Sequence, residues 1–112
     1  VFARLAREIP ALGGVLDIKQ ARISGYSYED YLTEMDNRIA YAHVSDYGER
    51  KMCLPGKGNF DFDTFIKRLK DVGFDGALII EAYERDYEAP IELKHSCEFL
   101  NELLYKNGCL SD

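Results

Sequence analysis

Two rhythms of apolar residues alternate along this chain: short continuous runs, and stripes at helical spacing. The short runs cover residues 15–18, 39–44 and 77–82. Continuous apolar runs, as opposed to strict alternation, suit parallel strands covered on both faces. Ahead of the first run, Phe2, Leu5, Ala6 and Ile9 repeat at i, i+3, i+4 and i+7. That stripe predicts an amphipathic helix stopping at Pro10, after which Gly13-Gly14 turns the chain into the first strand. Ser27 then offers an N-cap, with Asp30 as a capping-box-like partner three residues on. Tyr28, Tyr31, Leu32 and Met35 mark the buried face of the helix that follows.

After the second strand a long loop, 45–59, leads to a helix capped by Asp61 or Asp63. Phe62, Phe65, Ile66, Leu69 and Val72 form its apolar face, and Gly73 stands at a C′ position. The last helix begins near Pro90, a residue tolerated in a first turn. It carries Leu93, Cys97, Leu100 and Leu104 inward and stops before Asn107-Gly108. The order α-βα-βα-βα predicts one α/β domain, 1–112, whose parallel strands are joined by right-handed crossovers.

Each strand run finishes on or beside a side chain that can ligate a metal: Asp17, His43 and Glu81. Ionisable groups at the carboxyl ends of successive parallel strands are where βα-barrels keep their chemistry, because the loops there converge on one mouth. Two carboxylates and an imidazole aimed at one point suit a divalent cation. Each residue also has a plainer reading. Asp17 can be a turn former or helix cap, and His43 can be bonded to nearby backbone. Glu81 can be ion-paired with a lysine or arginine. Their recurrence at equivalent places in successive units is what favours a shared site.

A complete eight-unit barrel takes about 250 residues, so 112 residues leave room for three to four units. The chain therefore reads as part of a barrel, or as a subunit that completes its sheet elsewhere. Opening mid-helix without a cap suggests further sequence upstream. The net charge of −6 points away from nucleic acid, whose binding needs clustered Lys and Arg. No apolar run approaches the roughly 20 residues that span a bilayer, and no signal-peptide layout opens the chain. Cys53, Cys97 and Cys109 have no metal or redox spacing and fit reduced thiols in a cytoplasmic protein. The loop Pro55-Gly56-Lys57-Gly58 lacks Walker A spacing and reads either as a surface turn or as a mouth loop near substrate. Arg50, Lys51 and Lys57 are its cations. His95, mid-helix, reads as surface. With no nucleophile-elbow Ser, no Cys/His pair and no GxGxxG after a strand, covalent hydrolysis and dinucleotide binding drop out.

Taken in order, Leu16-Asp17-Ile18-Lys19-Gln20-Ala21, His43-Val44-Ser45-Asp46, Leu54-Pro55-Gly56-Lys57-Gly58 with Asp61, and Ile79-Ile80-Glu81 resemble the last three βα units of the xylose isomerase-like TIM-barrel superfamily. That group includes sugar phosphate isomerases and epimerases, ketose 3-epimerases, inosose dehydratases and endonuclease IV. The resemblance implies the C-terminal part of a (β/α)8 barrel, incomplete here. By position it makes Asp17, His43 and Glu81 ligands of Mn²⁺, Mg²⁺, Co²⁺ or Zn²⁺, and Glu81 a base candidate as well. A further family ligand, a Glu on strand four, has no counterpart in this chain. Where the family often has His after Asp-x-x, this chain has Gln20, which can bond a sugar hydroxyl but cannot shuttle protons. Arg50 and Met52 stand where the nuclease branch keeps a metal-binding Asp-x-His pair, which disfavours a nuclease.

The implied activity is metal-assisted proton transfer beside the carbonyl of a small sugar or sugar phosphate, via an enediolate, with Gln20, Arg50 and Lys57 touching substrate. The fragment alone is expected to be inactive. A polyol dehydratase shares the first step. The rival from another class is a non-catalytic partial barrel that forms homo-oligomers through exposed sheet edges, or is completed by a missing N-terminal half.

Overall fold

The side chain of Asp17 is where strand becomes helix. Strand β1 (Gly14–Asp17) ends on it, and helix α1 (Ile18–Ile23) starts immediately after, with Asp17 Oδ1 accepting the Gln20 N–H at 3.0 Å. The apolar run expected as strand to residue 18 therefore stops one residue early. Ile18 is buried as the first residue of a helix that the strand-like pattern concealed. In this computed structural model residues 14–35, 38–48, 51–83 and 86–109 are described. The stripe from Phe2 to Ile9, and Arg50, lie outside them.

The remaining elements are α2 (Tyr28–Met35), β2 (Ile39–Val44), β3 (Asp46–Tyr47), β4 (Met52–Cys53), α3 (Phe62–Asp71), β5 (Ala77–Ile80) and α4 (Ile91–Lys106). They fall into two units, 1–43 with 69–79, and 44–68 with 80–112.

In the first unit β1 pairs with β2 in parallel, Val15 against Tyr41, Leu16 against Ala42 and Asp17 against His43. The three-stranded sheet has the order β1-β2-β5. Gly76 lies against Ala40, while the Glu81 N–H donates to the Val44 carbonyl at 2.9 Å. Both numbers rise together, so β5 runs parallel to β2, as the alternating pattern predicts. A Cβ on Gly76 would stand 1.9 Å from the Ala40 oxygen, so only glycine permits this approach. Leu16, Ile18, Ala21, Leu32, Met35, Ile39 and Ala42 are buried and form this unit's core. Ser27 and Asp30 make the reciprocal capping box expected of them: the Ser27 N–H donates to Asp30 Oδ2 at 2.9 Å, and the Asp30 N–H to Ser27 Oγ at 3.4 Å.

The second unit packs aromatic rings edge to face, Phe60 on Phe62 and Phe65, and Phe62 on Phe99. Asp61 is the cap of α3, taking the Thr64 N–H at 3.0 Å, whereas Asp63 pairs with Lys67. Helix α4 buries Ser96 and Leu100 and leaves Cys97 exposed, against the expectation that Cys97 is core. Both positions fit helical spacing. Ser96 takes the inward one because its hydroxyl donates to the Pro55 carbonyl at 2.8 Å, a contact no cysteine thiol matches in strength.

The expected loop 45–59 is more ordered than a loop. It holds the antiparallel pair β3–β4, and it is organised by Asp46, which is 1% exposed. Asp46 Oδ1 accepts from Tyr47 and Phe60 N–H at 2.8 and 2.9 Å, and Oδ2 from Gly56 and Gly58 N–H, both at 3.0 Å. No helix among the described residues is long and apolar enough to cross a membrane.

Removing that carboxylate leaves four backbone donors without their acceptor, and each buried unpaired donor costs about 1–3 kcal/mol. Asp46→Ala is therefore expected to lower stability by about 3 kcal/mol or more in urea denaturation. A loss under about 1 kcal/mol would show that water or another group takes the carboxylate's place.

Candidate metal centre

The β1–β2 register sets Asp17 and His43 side by side at the carboxyl ends of their strands. His43 Nδ1 and Asp17 Oδ2 are 3.8 Å apart, with side chains 39% and 21% exposed. A carboxylate–imidazole hydrogen bond would close to about 2.7–3.2 Å. Two donors each about 2.1 Å from a shared ion stand roughly 3–3.5 Å apart. The observed spacing is longer than a bonded pair and nearer to that of two donors around one ion, and the oxygen–nitrogen donor set could hold a divalent ion. Asp17 Oδ1 caps α1 while Oδ2 faces the imidazole, so the plain helix-cap reading holds and is compatible with a ligand role for the other oxygen.

Glu81 belongs to the second unit. It follows β5 directly, and its N–H is bonded to Val44, the residue after His43 in β2. Its Oε1 accepts a 2.5 Å hydrogen bond from the Tyr83 hydroxyl. Like Asp17 and His43 it is half-buried, and its carboxylate offers an oxygen.

The expected substrate contacts fare differently. Gln20 is exposed in α1, and its backbone N–H is spent on Asp17. Lys57 is engaged by Glu92 Oε1, whose other oxygen takes the Glu88 and Ala89 N–H groups at 2.7 and 3.0 Å. His95 and Lys51 are exposed, as a surface reading requires. Two residues were not singled out from the sequence. Asp46 stands three positions after His43, just ahead of a glycine-rich loop, and an acidic residue there is a turn signal. Tyr83 carries no sequence signal beyond lying two residues from Glu81.

The sequence pattern of the xylose isomerase-like TIM barrel family matches residues 1–103. The chain belongs to that family. It is 31% identical over 81 residues to a ketose 3-epimerase of Arthrobacter globiformis, covering 72% of this chain and 27% of that protein. An L-ribulose 3-epimerase structure superposes with a TM-score of 0.66 at 19% identity, over 83% of this chain and 36% of the other. A structure of the IolI protein with a bound zinc atom gives 0.53 at 20% identity, over 85% and 37%. The chain thus spans 27 to 37% of these proteins, and its three parallel strands are a part of the barrel and not a closed one.

Glu92 supplies a pH test of the loop that carries Lys57. The Lys57 ammonium first, and then the Ala89 and Glu88 N–H groups, hold its carboxyl at about 2, down from an ordinary 4.5. A lowered folded value means stability is present above pH 4.5 and is lost as pH falls towards 2. Glu92→Gln is expected to flatten the acid limb of a stability–pH curve between those values and to leave pH 7 to 9 unchanged in slope. An acid limb identical to wild type would show that the Lys57 contact does not survive in solution.

Proposed function

We propose that the protein is a sugar or sugar-phosphate isomerase or epimerase in which Asp17, His43 and Glu81 hold one divalent ion, Mn²⁺, Mg²⁺, Co²⁺ or Zn²⁺. The observation that carries this reading is the 3.8 Å approach of Asp17 Oδ2 and His43 Nδ1 at paired strand ends. The likeness to a ketose 3-epimerase supports the substrate class, a small ketose or its phosphate, and the zinc-bound IolI structure supports a cation. The bound ion would polarise the substrate carbonyl. Glu81, held through Oε1 by Tyr83, takes the proton from the neighbouring carbon, and the resulting enediolate is reprotonated on either face or at the other carbon. Gln20 donates to a sugar hydroxyl, and Arg50 and Lys57 meet hydroxyl or phosphate oxygens. The free thiols Cys53, Cys97 and Cys109 accord with a reducing, cytoplasmic setting. The 112-residue chain alone binds metal without turning over ketoses, because no second proton-transfer carboxylate stands beside Glu81 in the proposed set.

Calorimetric titration tests the site directly. One Mn²⁺ per chain is expected, with affinity reduced a hundredfold or more in Asp17→Asn and Glu81→Gln. Absence of binding at millimolar Mn²⁺ refutes the reading.

One observation favours a second, non-catalytic reading. Val15 and Tyr41, register partners in β1 and β2, are 52% and 49% exposed on a parallel sheet that ordinarily has both faces covered. We propose that this face associates with a second copy. Sedimentation should then show a dimer that Tyr41→Glu converts to monomer, and a monomeric wild type rules association out.

A further inference from the structure

Helix α4 stops at Asn107, and Gly108 follows it at φ +74°. The Gly108 N–H donates to the Tyr105 carbonyl at 3.0 Å and the Cys109 N–H to Leu104 at 2.8 Å, the bonds of a left-handed glycine cap. The Asn107 side-chain amide donates to the Leu103 carbonyl at 2.8 Å, within α4. It also donates to Asp63 Oδ1 at 2.9 Å, in the first turn of α3. Asp63 is a firm acceptor: the Asn107 amide first, and then the Lys67 ammonium, hold its carboxyl at about 2, down from 3.8. Lys67 Nζ lies 2.8 Å from Asp63 Oδ2, and Lys106 Nζ 3.7 Å from Oδ1.

Asn-Gly is also the pairing in which a side-chain amide is most open to attack by the next backbone nitrogen, since glycine has no Cβ to shield it. In the folded chain that attack is blocked. Asn107 ψ is 7°, the Gly108 N–H is bound to Tyr105, and the amide nitrogen that must leave is held by Asp63 and Leu103. We propose that Asn107-Gly108 is a deamidation site, latched by the Asp63–Asn107 hydrogen bond, whose conversion permanently frees the end of α4 from α3. Once the latch opens, the Gly108 nitrogen gives up its proton and bonds to Asn107 Cγ. The Cγ–Nδ2 bond breaks, and the nitrogen leaves as ammonia. Water then opens the cyclic imide at either carbonyl, leaving an aspartyl or isoaspartyl residue. Asn107 is half-buried and Gly108 exposed, within reach of that water. The product has no amide hydrogen to offer Asp63 and sets a second carboxylate against the first, so the latch cannot close again. Lys67 and Lys106 screen the two charges without restoring the lost donor.

The experiment incubates the wild type, Asp63→Ala and Lys67→Gln at one neutral pH and follows the peptide spanning 107–108 by mass spectrometry, with isoaspartate as a second readout. Losing a hydrogen bond to a charged, partly exposed acceptor should raise the open population, and with it the deamidation rate, about fivefold or more in Asp63→Ala. Lys67→Gln leaves the Asn107 contact in place and should keep the wild-type rate. Wild-type chain unfolded in urea sets the unlatched limit, which Asp63→Ala should approach and not pass. In Asn107→Asp, amide hydrogen exchange at residues 107–109 should be faster than in the wild type. The amide of Leu100, buried in the middle of α4, should exchange at the wild-type rate in every variant. A wild type that reacts as fast folded as in urea overturns the proposal, and so does an unchanged rate in Asp63→Ala. Equal acceleration in Lys67→Gln, or acceleration accompanied by fast exchange at Leu100, would mean general loosening and overturn the latch. Wild-type exchange at 107–109 in Asn107→Asp would refute the release of the helix end.

Discussion

A buried carboxylate surrounded by backbone donors organises the segment that follows β2. Taking the Asp46 side chain out of water is costly unless its oxygens find hydrogen bonds, and the four N–H groups of Tyr47, Gly56, Gly58 and Phe60 supply them. The two glycines are part of the same device. A Cβ on Gly58 would lie 2.3 Å from the Tyr47 carbonyl oxygen and 2.6 Å from Asp46 Oδ1, and Gly56 sits at φ +95°, where side chains are strained. With the backbone drawn inward at both glycines, Lys57 between them is exposed and reaches Glu92 at the head of α4. Pro55, just before them, offers its carbonyl to Ser96 further along that helix. One carboxylate thus fixes a loop, and the loop docks a helix at two places.

A different constraint governs the strand ends. Parallel pairing admits many registers, but a slip of one residue would turn every side chain of a strand to the opposite face. Leu16 and Ala42 are opposed and buried, so burial sets the register, and Asp17 and His43 become neighbours as a consequence. The Asp17–His43 pairing follows from core packing one residue upstream. The abrupt passage from β1 into α1 adds a second lock, because the cap bond to the Gln20 N–H fixes the Asp17 rotamer.

Much of this was readable from residue order. The run at 39–44 is a strand, the run at 77–82 is one only as far as Ile80, Ser27 with Asp30 opens a helix as a capping box, and the strand-end positions of Asp17, His43 and Glu81 are as the pattern implies. What escaped was decided by contacts between residues distant in sequence. Ile18 scans as the tail of a strand because it is apolar, yet it opens the helix Ile18–Ile23 that Asp17 caps. Cys97 and Ser96 fit the α4 stripe equally well, and only the Pro55 carbonyl, 41 positions away, decides between them. Asp46 resembles any polar loop residue until its donors, 10 to 14 positions downstream, fold back onto it. Tyr83 bonds to nearby Glu81, but aromatic residues near strand ends are too common for spacing to single one out.

The Asp17–His43 pair also argues for a ligand role on energetic grounds. As an ion pair it would contribute little, because the two groups are partly exposed, where such pairs are worth at most about 1 kcal/mol. A fold gains almost nothing in stability by keeping them 3.8 Å apart. In the proposed site it would gain prepaid geometry. Donors already fixed by a helix cap and a strand register would lose little further freedom on binding a cation, so more of the coordination energy would appear as affinity. An arrangement nearly worthless for stability and favourable for binding is what a binding role predicts and a structural one does not.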